Sequence, residues 1–191
     1  MLSFLFLTLS CSKIPLITTD KYATEVLQGK NKNRVWVFLF YVPFCKKYKE
    51  YLLCMEQSQI LTNGSVKYGL INCQGEANLC SKFKITEYPT IIIKNKTTIT
   101  PFEEQLNPKS VVKNALNHIP KANVQYVDDF WIDDLRDGKP TAILFTKKSE
   151  IPGYWAALSR TYPKTKVQFG ICNDEGLFQD YNITKVPTVV F

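Results

Sequence analysis

The sequence holds little of what metal-dependent and nucleotide-dependent enzymes need. Its 191 residues include one histidine, His118, and eight glycines, with no glycine-rich phosphate-binding loop. His118 has no cysteine or carboxylate cluster beside it in the chain, so we predict no metal site. No Ser/His/Asp pattern with usable spacing is present either. We therefore expect neither a metal nor a cofactor.

Long apolar segments are absent beyond the first residues. Residues 1–9 are apolar and precede the small residues Ser10, Cys11 and Ser12, which is typical of a signal peptide spanning residues 1–12. No basic residue precedes this stretch, so a buried N-terminal strand is the alternative. No later segment is apolar enough for a membrane helix, and we expect no membrane span in this chain.

Charge and composition exclude two further classes of protein. The net charge is +7, but the lysines are scattered rather than gathered into one dense run. This spacing favours a solvated surface over a nucleic-acid interface, so we expect no nucleic-acid partner. A hydrophobic fraction of 45% and an aromatic fraction of 13% are ample for packed cores and exclude a disordered chain.

One segment of the chain is repeated. Residues 83–92 return, 98 residues later, as residues 181–190. This period is too long for a solenoid, so it indicates two copies of one domain. We place the first copy at residues 13–119 and the second at residues 120–191. The second copy ends one strand after Pro187, so we expect it to be incomplete.

The hydrophobic pattern predicts alternating strands and helices in both copies. In the first copy these are a helix at 18–28, a strand at 35–41, a helix at 45–59, a strand at 66–72, a helix at 77–83, strands at 90–93 and 98–102, and a last helix capped by Asn107 with Pro108 in its first turn. In the second copy they are a strand at 141–146, a helix with Ile151, Trp155, Leu158 and Tyr162 on one face, and a strand at 166–172. This order is typical of an α/β fold.

A lone thiol follows the predicted buried strand. Pro43 ends the strand, and Cys45 would begin the next helix. A helix N-terminus together with the neighbouring Lys46 and Lys47 favours the thiolate form of such a cysteine. Cys45 is therefore a candidate nucleophile.

Two segments carry a family resemblance. Residues 40–49 read FYVPFCKKYK and residues 88–90 read YPT. They resemble the active-site line and the cis-proline segment of the protein disulfide isomerase branch of the thioredoxin superfamily. The resemblance implies two tandem thioredoxin-like domains, each with a central mixed sheet flanked by helices. The second domain would be redox-inert, since residues 146–149 contain no cysteine.

The resemblance also implies roles for particular residues. Cys45 would be the catalytic nucleophile, and five neighbours would bind clients: Phe44, Tyr48, Tyr88, Pro89 and Thr90. Extended peptides could pair with the exposed backbone beside Pro89. Pro187 would be the second-domain cis-proline, serving peptides or only the architecture. Unfolded or cysteine-containing proteins are the expected clients, with glutathione a candidate partner.

Three positions depart from the family pattern. Tyr48 replaces the resolving cysteine, Phe44 replaces a tryptophan, and Leu39 stands where the family keeps a buried carboxylate. A single thiol could capture a client disulfide and would then wait for an external thiol to release it. The alternative is that Cys45 is a relic and that the domain binds peptides without thiol chemistry.

The remaining cysteines and the glycosylation sequons bear on the compartment. Cys73 and Cys80 match a structural disulfide of some disulfide isomerase relatives, the alternative being two buried thiols. Cys54 and Cys172 are predicted to be core residues. Sequons occur at Asn63, Asn95 and Asn182, and Asn95 is the best placed because it lies in a polar turn. These features predict the endoplasmic reticulum lumen or secretion.

Overall fold

The chain forms two four-stranded mixed sheets in succession, each covered by helices. The computed structural model describes residues 14–128, 131, 138–162 and 166–191. The first sheet contains β1 (Trp36–Tyr41), β2 (Lys67–Asn72), β3 (Thr90–Lys94) and β4 (Ile99–Pro101). The second contains β5 (Val124–Tyr126), β6 (Thr141–Phe145), β7 (Gln168–Cys172) and β8 (Thr188–Val190). The predicted α/β class with two tandem units is confirmed. The predicted leader, residues 1–12, lies outside the described residues.

The helices differ in whether a side chain caps their first backbone N–H groups. In the described part of the chain they are α1 (Thr19–Lys21, continued by a π-helix at Tyr22–Gln28), α2 (Tyr48–Thr62), α3 (Ala77–Lys82), α4 (Pro108–Asn117), α5 (Gly153–Thr161) and α6 (Glu175–Asp180). Asn107 caps α4 by accepting a hydrogen bond from the backbone N–H of Ser110 at 2.9 Å, as predicted. Asn63 closes α2 in the left-handed conformation, with φ of 43°.

The central strand of the first sheet is β1. The strand order is β2-β1-β3-β4, with β1 parallel to β2 and antiparallel to β3. Every residue of β1 is buried, because helices cover both faces of the sheet. This explains why the strand reads as an unbroken apolar run in the sequence.

Alternate residues of β1 fill two different cores. Val37 and Leu39 face one layer, while Trp36, Phe38 and Phe40 face an aromatic layer on the other side. In the aromatic layer the Trp36 and Phe38 rings stack at a centroid distance of 5.3 Å. Such ring pairs contribute about 0.5–1.5 kcal/mol each beyond their buried area.

The second sheet repeats the arrangement of β2, β1 and β3, but its fourth strand lies at the opposite edge, where β5 pairs in parallel with β7. Its order is β5-β7-β6-β8, with β6 parallel to β7 and antiparallel to β8. The repeat extends to backbone detail, since Lys84 and Asn182 have positive φ values of 56° and 54° at equivalent positions. The 98-residue sequence repeat is therefore also a repeat of conformation.

Helix α5 differs from its prediction in the face that it buries. Trp155 is buried and donates from its indole N–H to the carbonyl of Gly170 at 2.9 Å. Leu158 and Tyr162, which we expected on the same face, are 40% and 47% exposed. The buried positions are instead the small residues Ala156 and Ser159. Small side chains allow the close approach of α5 to its neighbours.

The two units pack together through α4 and α5. A Cβ atom added to Gly153 would lie 2.6 Å from both the carbonyl carbon and the carbonyl oxygen of Leu116, so only glycine fits this helix crossing. Across the same boundary, the guanidinium of Arg160 donates to the carbonyl of Asn33 at 3.1 Å. One buried apolar cluster contains residues of both sheets. The units therefore share part of their core.

Among the described residues, no helix combines the length and the apolar character needed to cross a membrane.

Candidate thiol site

Cys45 lies in a tight turn between β1 and α2. Its backbone N–H donates to the carbonyl of Val42 at 3.1 Å, and its own carbonyl accepts from the N–H of Tyr48 at 3.0 Å. These hydrogen bonds hold residues 45–47 in a turn, so α2 begins only at Tyr48. The prediction that α2 begins at Cys45 was wrong. The thiol sits one turn before the helix and is half-buried.

The thiol touches a segment that is distant in the sequence. Cys45 Sγ lies 3.4 Å from the carbonyl oxygen of Tyr88, to which its S–H can donate. Tyr88 precedes Pro89 in a cis peptide bond, and Thr90 begins β3. The β1–β3 pairing sets Phe40 opposite Thr90, and this register brings the two segments together.

Exposed aromatic rings flank the thiol. Phe44 is 74% exposed and Tyr88 is 38% exposed, whereas Pro89 and Thr90 are partly buried. The Thr90 hydroxyl donates to the carbonyl of Glu87 at 2.6 Å, which fixes the turn before β3. Exposed aromatic side chains beside an accessible cysteine offer an apolar contact surface for a polypeptide.

Tyr48 packs inward rather than standing free beside the thiol. Its ring stacks on Tyr41, with centroids 4.2 Å apart and an interplanar angle of 21°. Burial, reinforced by the interactions with Tyr41 and Glu56, raises the pKa of Tyr48 to about 12. Sequence reasoning placed Tyr48 at the site but missed Tyr41. Tyr41 lies seven positions before Tyr48, and a turn separates the two residues. Neither a helical nor a strand periodicity therefore links them in the sequence.

Leu39 places an aliphatic side chain in the sheet beneath the site. It is fully buried in the middle of β1, opposite Leu70 and Ile91 on the flanking strands. The buried polar and charged residues of the described chain include no carboxylate. The buried layer beneath the site therefore offers no carboxylate to accept a proton from Cys45.

Among the described cysteines, the other four are inaccessible or paired. Cys73 and Cys80 form a disulfide that joins the end of β2 to α3. Cys54 and Cys172 are buried free thiols, and burial raises the pKa of each. Cys11 lies outside the described residues. Cys45 is thus the one free thiol of the described chain that is open to solvent.

The equivalent site of the second unit has the same frame without a thiol. Val186 and Pro187 are joined by a cis peptide bond, and the hydroxyl of Thr188 donates to the carbonyl of Lys185 at 2.6 Å. Opposite them, Thr146 begins the turn where the first unit carries its cysteine segment, and Thr146 is buried. The backbone geometry therefore repeats at a position where residues 146–149 contain no cysteine.

His118 has a structural role at the end of α4. Its Nδ1 lies 2.9 Å from the carbonyl of Asn114, and its Nε2 lies 3.2 Å from the Thr100 hydroxyl. Over the residues that the structure describes, no group of three or more His, Cys, Asp or Glu side chains could hold a metal ion.

The three sequon asparagines differ in exposure. Asn63 and Asn182 are exposed, and each has a positive φ. Asn95 is partly buried, and its Nδ2 donates to the carbonyl of His118 at 3.1 Å while its Oδ1 accepts from Thr98 N at 2.7 Å. We expected the Asn95 side chain to face solvent, but it closes its turn against the end of α4.

Comparison with known proteins agrees with the fold. A family model described as Thioredoxin matches residues 13–118. A proposed protein disulfide-isomerase of Dictyostelium discoideum is 27% identical over 191 residues, covering 94% of this chain and 46% of that protein. DnaJ homolog subfamily C member 10 of Homo sapiens is 35% identical over 82 residues, covering 41% of this chain and 10% of that protein. The chain therefore spans less than half the length of either relative.

Solved structures show the same architecture across both units. Crystal form II of ERdj5 superposes with a TM-score of 0.72 over 93% of this chain and 25% of that chain, at 18% identity. The zinc-bound form of human ERp44 gives a TM-score of 0.51 over 83% of this chain and 47% of that chain, at 15% identity. At sequence identities of 18% and 15%, this structural similarity shows a shared fold only.

The raised pKa of Tyr48 predicts how stability depends on alkaline pH. The neutral phenol is favoured in the folded protein, so this stabilisation is complete below pH 10 and is lost as the pH rises towards 12. Tyr68, whose pKa burial also raises to about 12, contributes in the same way. In Tyr48→Phe the free energy of unfolding should fall less steeply over this range, as measured by urea denaturation.

A matched control for this prediction is Tyr154→Phe, which removes the hydroxyl of a half-exposed tyrosine. The free energy of unfolding of this variant should fall with rising pH as steeply as that of the wild type. An unchanged slope in Tyr48→Phe would contradict the stacked, desolvated environment of Tyr48.

Proposed function

The chain belongs to the thioredoxin family, and we propose that it assists the folding of cysteine-containing client proteins by forming mixed disulfides through Cys45. One observation carries the proposal. The one solvent-accessible free thiol of the described chain lies 3.4 Å from the Tyr88 carbonyl, beside exposed aromatic side chains. The similarity to protein disulfide-isomerases supports the same reaction class.

The proposed reaction has a capture step and a release step. The Cys45 thiolate attacks one sulfur of a client disulfide, a bond forms between the two proteins, and the other client sulfur leaves as a thiolate. The Cys45 proton passes to solvent, since the buried layer around Leu39 holds no carboxylate. A small external thiol such as glutathione then attacks the mixed disulfide, and Cys45 leaves as the thiolate. One disulfide is exchanged for another, so there is no net oxidation.

Tyr48 makes the release step depend on the external thiol. A cysteine at this position would be one helical turn from Cys45, because the Tyr48 N–H donates to the Cys45 carbonyl at 3.0 Å. The phenol that stands there instead is stacked on Tyr41 and has no thiol chemistry. The proposed enzyme is therefore a thiol-disulfide exchanger that retains its clients.

A second candidate function uses the same surface without thiol chemistry. A groove of 610 Å³ adjoins the site and is lined by residues of the turn before β3 and by the edge strand, including Glu87, Thr90 and Ile99. Ile99 is 53% exposed. An extended peptide could lie in this groove beside Tyr88, and the chain would then act as a peptide-binding chaperone or adaptor.

Trapping of clients distinguishes the two functions. Wild-type protein, incubated with a reduced and re-oxidising client mixture and quenched by alkylation, should give mixed disulfides on a non-reducing gel. Cys45→Ala should give none, whereas Cys54→Ala, which removes a buried thiol, should retain them once its folding is verified. Equal yields of mixed disulfide from wild type and Cys45→Ala would contradict thiol exchange through Cys45 and would favour the peptide-binding function.

Restoring a second thiol should change the reaction. Tyr48→Cys should raise the initial rate of insulin reduction several-fold, since an internal thiol then releases the client. The substitution also removes the Tyr41–Tyr48 stack, at a cost of about 0.5–1.5 kcal/mol of stability. Tyr48→Phe, which keeps the ring, should leave the rate unchanged. A folded Tyr48→Cys protein as slow as wild type would show that Cys45 cannot reach its clients.

We propose that the protein works in the endoplasmic reticulum lumen or is secreted. The Cys73–Cys80 disulfide supports an oxidising compartment, and exposed sequons at Asn63 and Asn182 are compatible with it. Similarity to the protein disulfide-isomerase relatives supports the same assignment.

Expression in a secreting eukaryotic cell tests the compartment. Because the Asn95 amide is engaged with His118 and Thr98, glycans should be found at Asn63 and Asn182 and should be scarce at Asn95. Asn63→Gln and Asn182→Gln should each abolish one endoglycosidase-sensitive shift, whereas Asn95→Gln should abolish none. A chain recovered wholly unglycosylated would count against the secretory assignment.

A further inference from the structure

An apolar groove crosses the boundary between the two units, away from the thiol. It consists of two adjoining hollows of 500 Å³ and 490 Å³, which share Leu61 of α2 and Lys109 of α4. The second hollow continues to Tyr154 of α5. We call this surface the seam groove, because it follows the contact between α4 and α5.

The floor of the seam groove is formed by large apolar side chains that are exposed to solvent. Ile60 is 62% exposed, Leu61 is 59% exposed and Tyr154 is 50% exposed. Ile60 and Leu61 lie on the outer side of α2, while the core side of this helix buries Cys54, Met55 and Ser58. Adjacent exposed apolar side chains in a concave surface mark a protein interaction site.

The rim of the seam groove carries charge of one sign. The charged residues that line it are Lys109, Lys113 and Lys148, and no carboxylate lines it. All three lysines are exposed, and none of them forms an ion pair within the described residues. The rim is thus complementary to acidic side chains placed on either side of an apolar stripe.

We propose that the seam groove binds an acidic amphipathic helix of a partner protein. Apolar side chains at positions i, i+3, i+4 and i+7 of such a helix would enter the groove beside Leu61 and Tyr154, and flanking carboxylates would pair with the lysines. A second copy of this chain fits poorly, since lysines would meet lysines on chains of net charge +7. An anionic membrane is flat and would leave a concave surface unfilled.

This site is independent of the proposed thiol chemistry. Ile60 and Leu61 lie at the C-terminal end of α2, whereas Cys45 precedes its N-terminus. A helix of 15 residues is about 22 Å long, so the two surfaces lie at opposite ends of α2. A partner could occupy the groove while a client is bound at Cys45.

The test uses a fluorescent synthetic helix made of leucine and glutamate, with leucines spaced at i, i+3, i+4 and i+7. Its binding to the full chain is followed by fluorescence anisotropy. An isomer with the same composition and a scrambled order, and a counterpart with lysine in place of glutamate, should both bind at least about tenfold more weakly, a difference of about 1.4 kcal/mol. Equal binding of the scrambled isomer would overturn the proposal.

Variants locate the binding surface. Leu61→Glu and Lys113→Glu should each weaken binding about tenfold, whereas Lys96→Glu, an exposed lysine outside the groove, should have no effect. Cys45→Ala should bind as wild type does, which separates this result from the fate of the thiol proposal. Binding that ignores both groove variants, or that is seen with phosphatidylserine vesicles and not with the acidic helix, would refute the assignment.

Discussion

The pairing of β1 with β3 is the interaction on which the site depends. β1 is buried on both faces and hydrogen-bonded on both edges, so its register against β3 is fixed by the core on either side. Because Phe40 lies opposite Thr90, the turn after β1 and the turn before β3 must meet. A slip of one residue would exchange the aromatic and aliphatic faces of β1 and also separate Cys45 from Tyr88.

Leu39 and Tyr48, on which the proposed reaction depends, are also part of the packing. Leu39 belongs to the aliphatic layer between the sheet and α2, where an unpaired carboxylate would cost several kcal/mol. Tyr48 begins α2 and holds its first turn against Tyr41 at the end of β1. Both side chains therefore add apolar contacts beside the thiol site.

Much of the fold could be predicted from the sequence, because the buried strands leave continuous apolar runs. The strand at 35–41, the Asn107 cap and the repeat were read from local patterns that physical rules fix. One miss came from local turn geometry, and two came from tertiary contacts that no local pattern records. Turn hydrogen bonds delayed the start of α2 to Tyr48, the close approach of α4 and α5 changed the buried face of α5, and the end of α4 engaged Asn95.

The second unit keeps the backbone geometry of the first at the equivalent site, although no thiol lies there. A left-handed residue, a cis proline and a threonine hydroxyl bonded to the turn recur at Asn182, Pro187 and Thr188. These features shape the backbone between the last helix and the last strand, so they serve the fold whether or not a cysteine lies opposite. What the second unit adds is α5, whose Gly153 lets it pack directly against Leu116 of α4. That contact joins the cores of the two units and, on its outer side, forms the wall of the seam groove. The second unit therefore contributes one wall of the seam groove, whereas the hollow beside Ile60 is lined by the first unit alone.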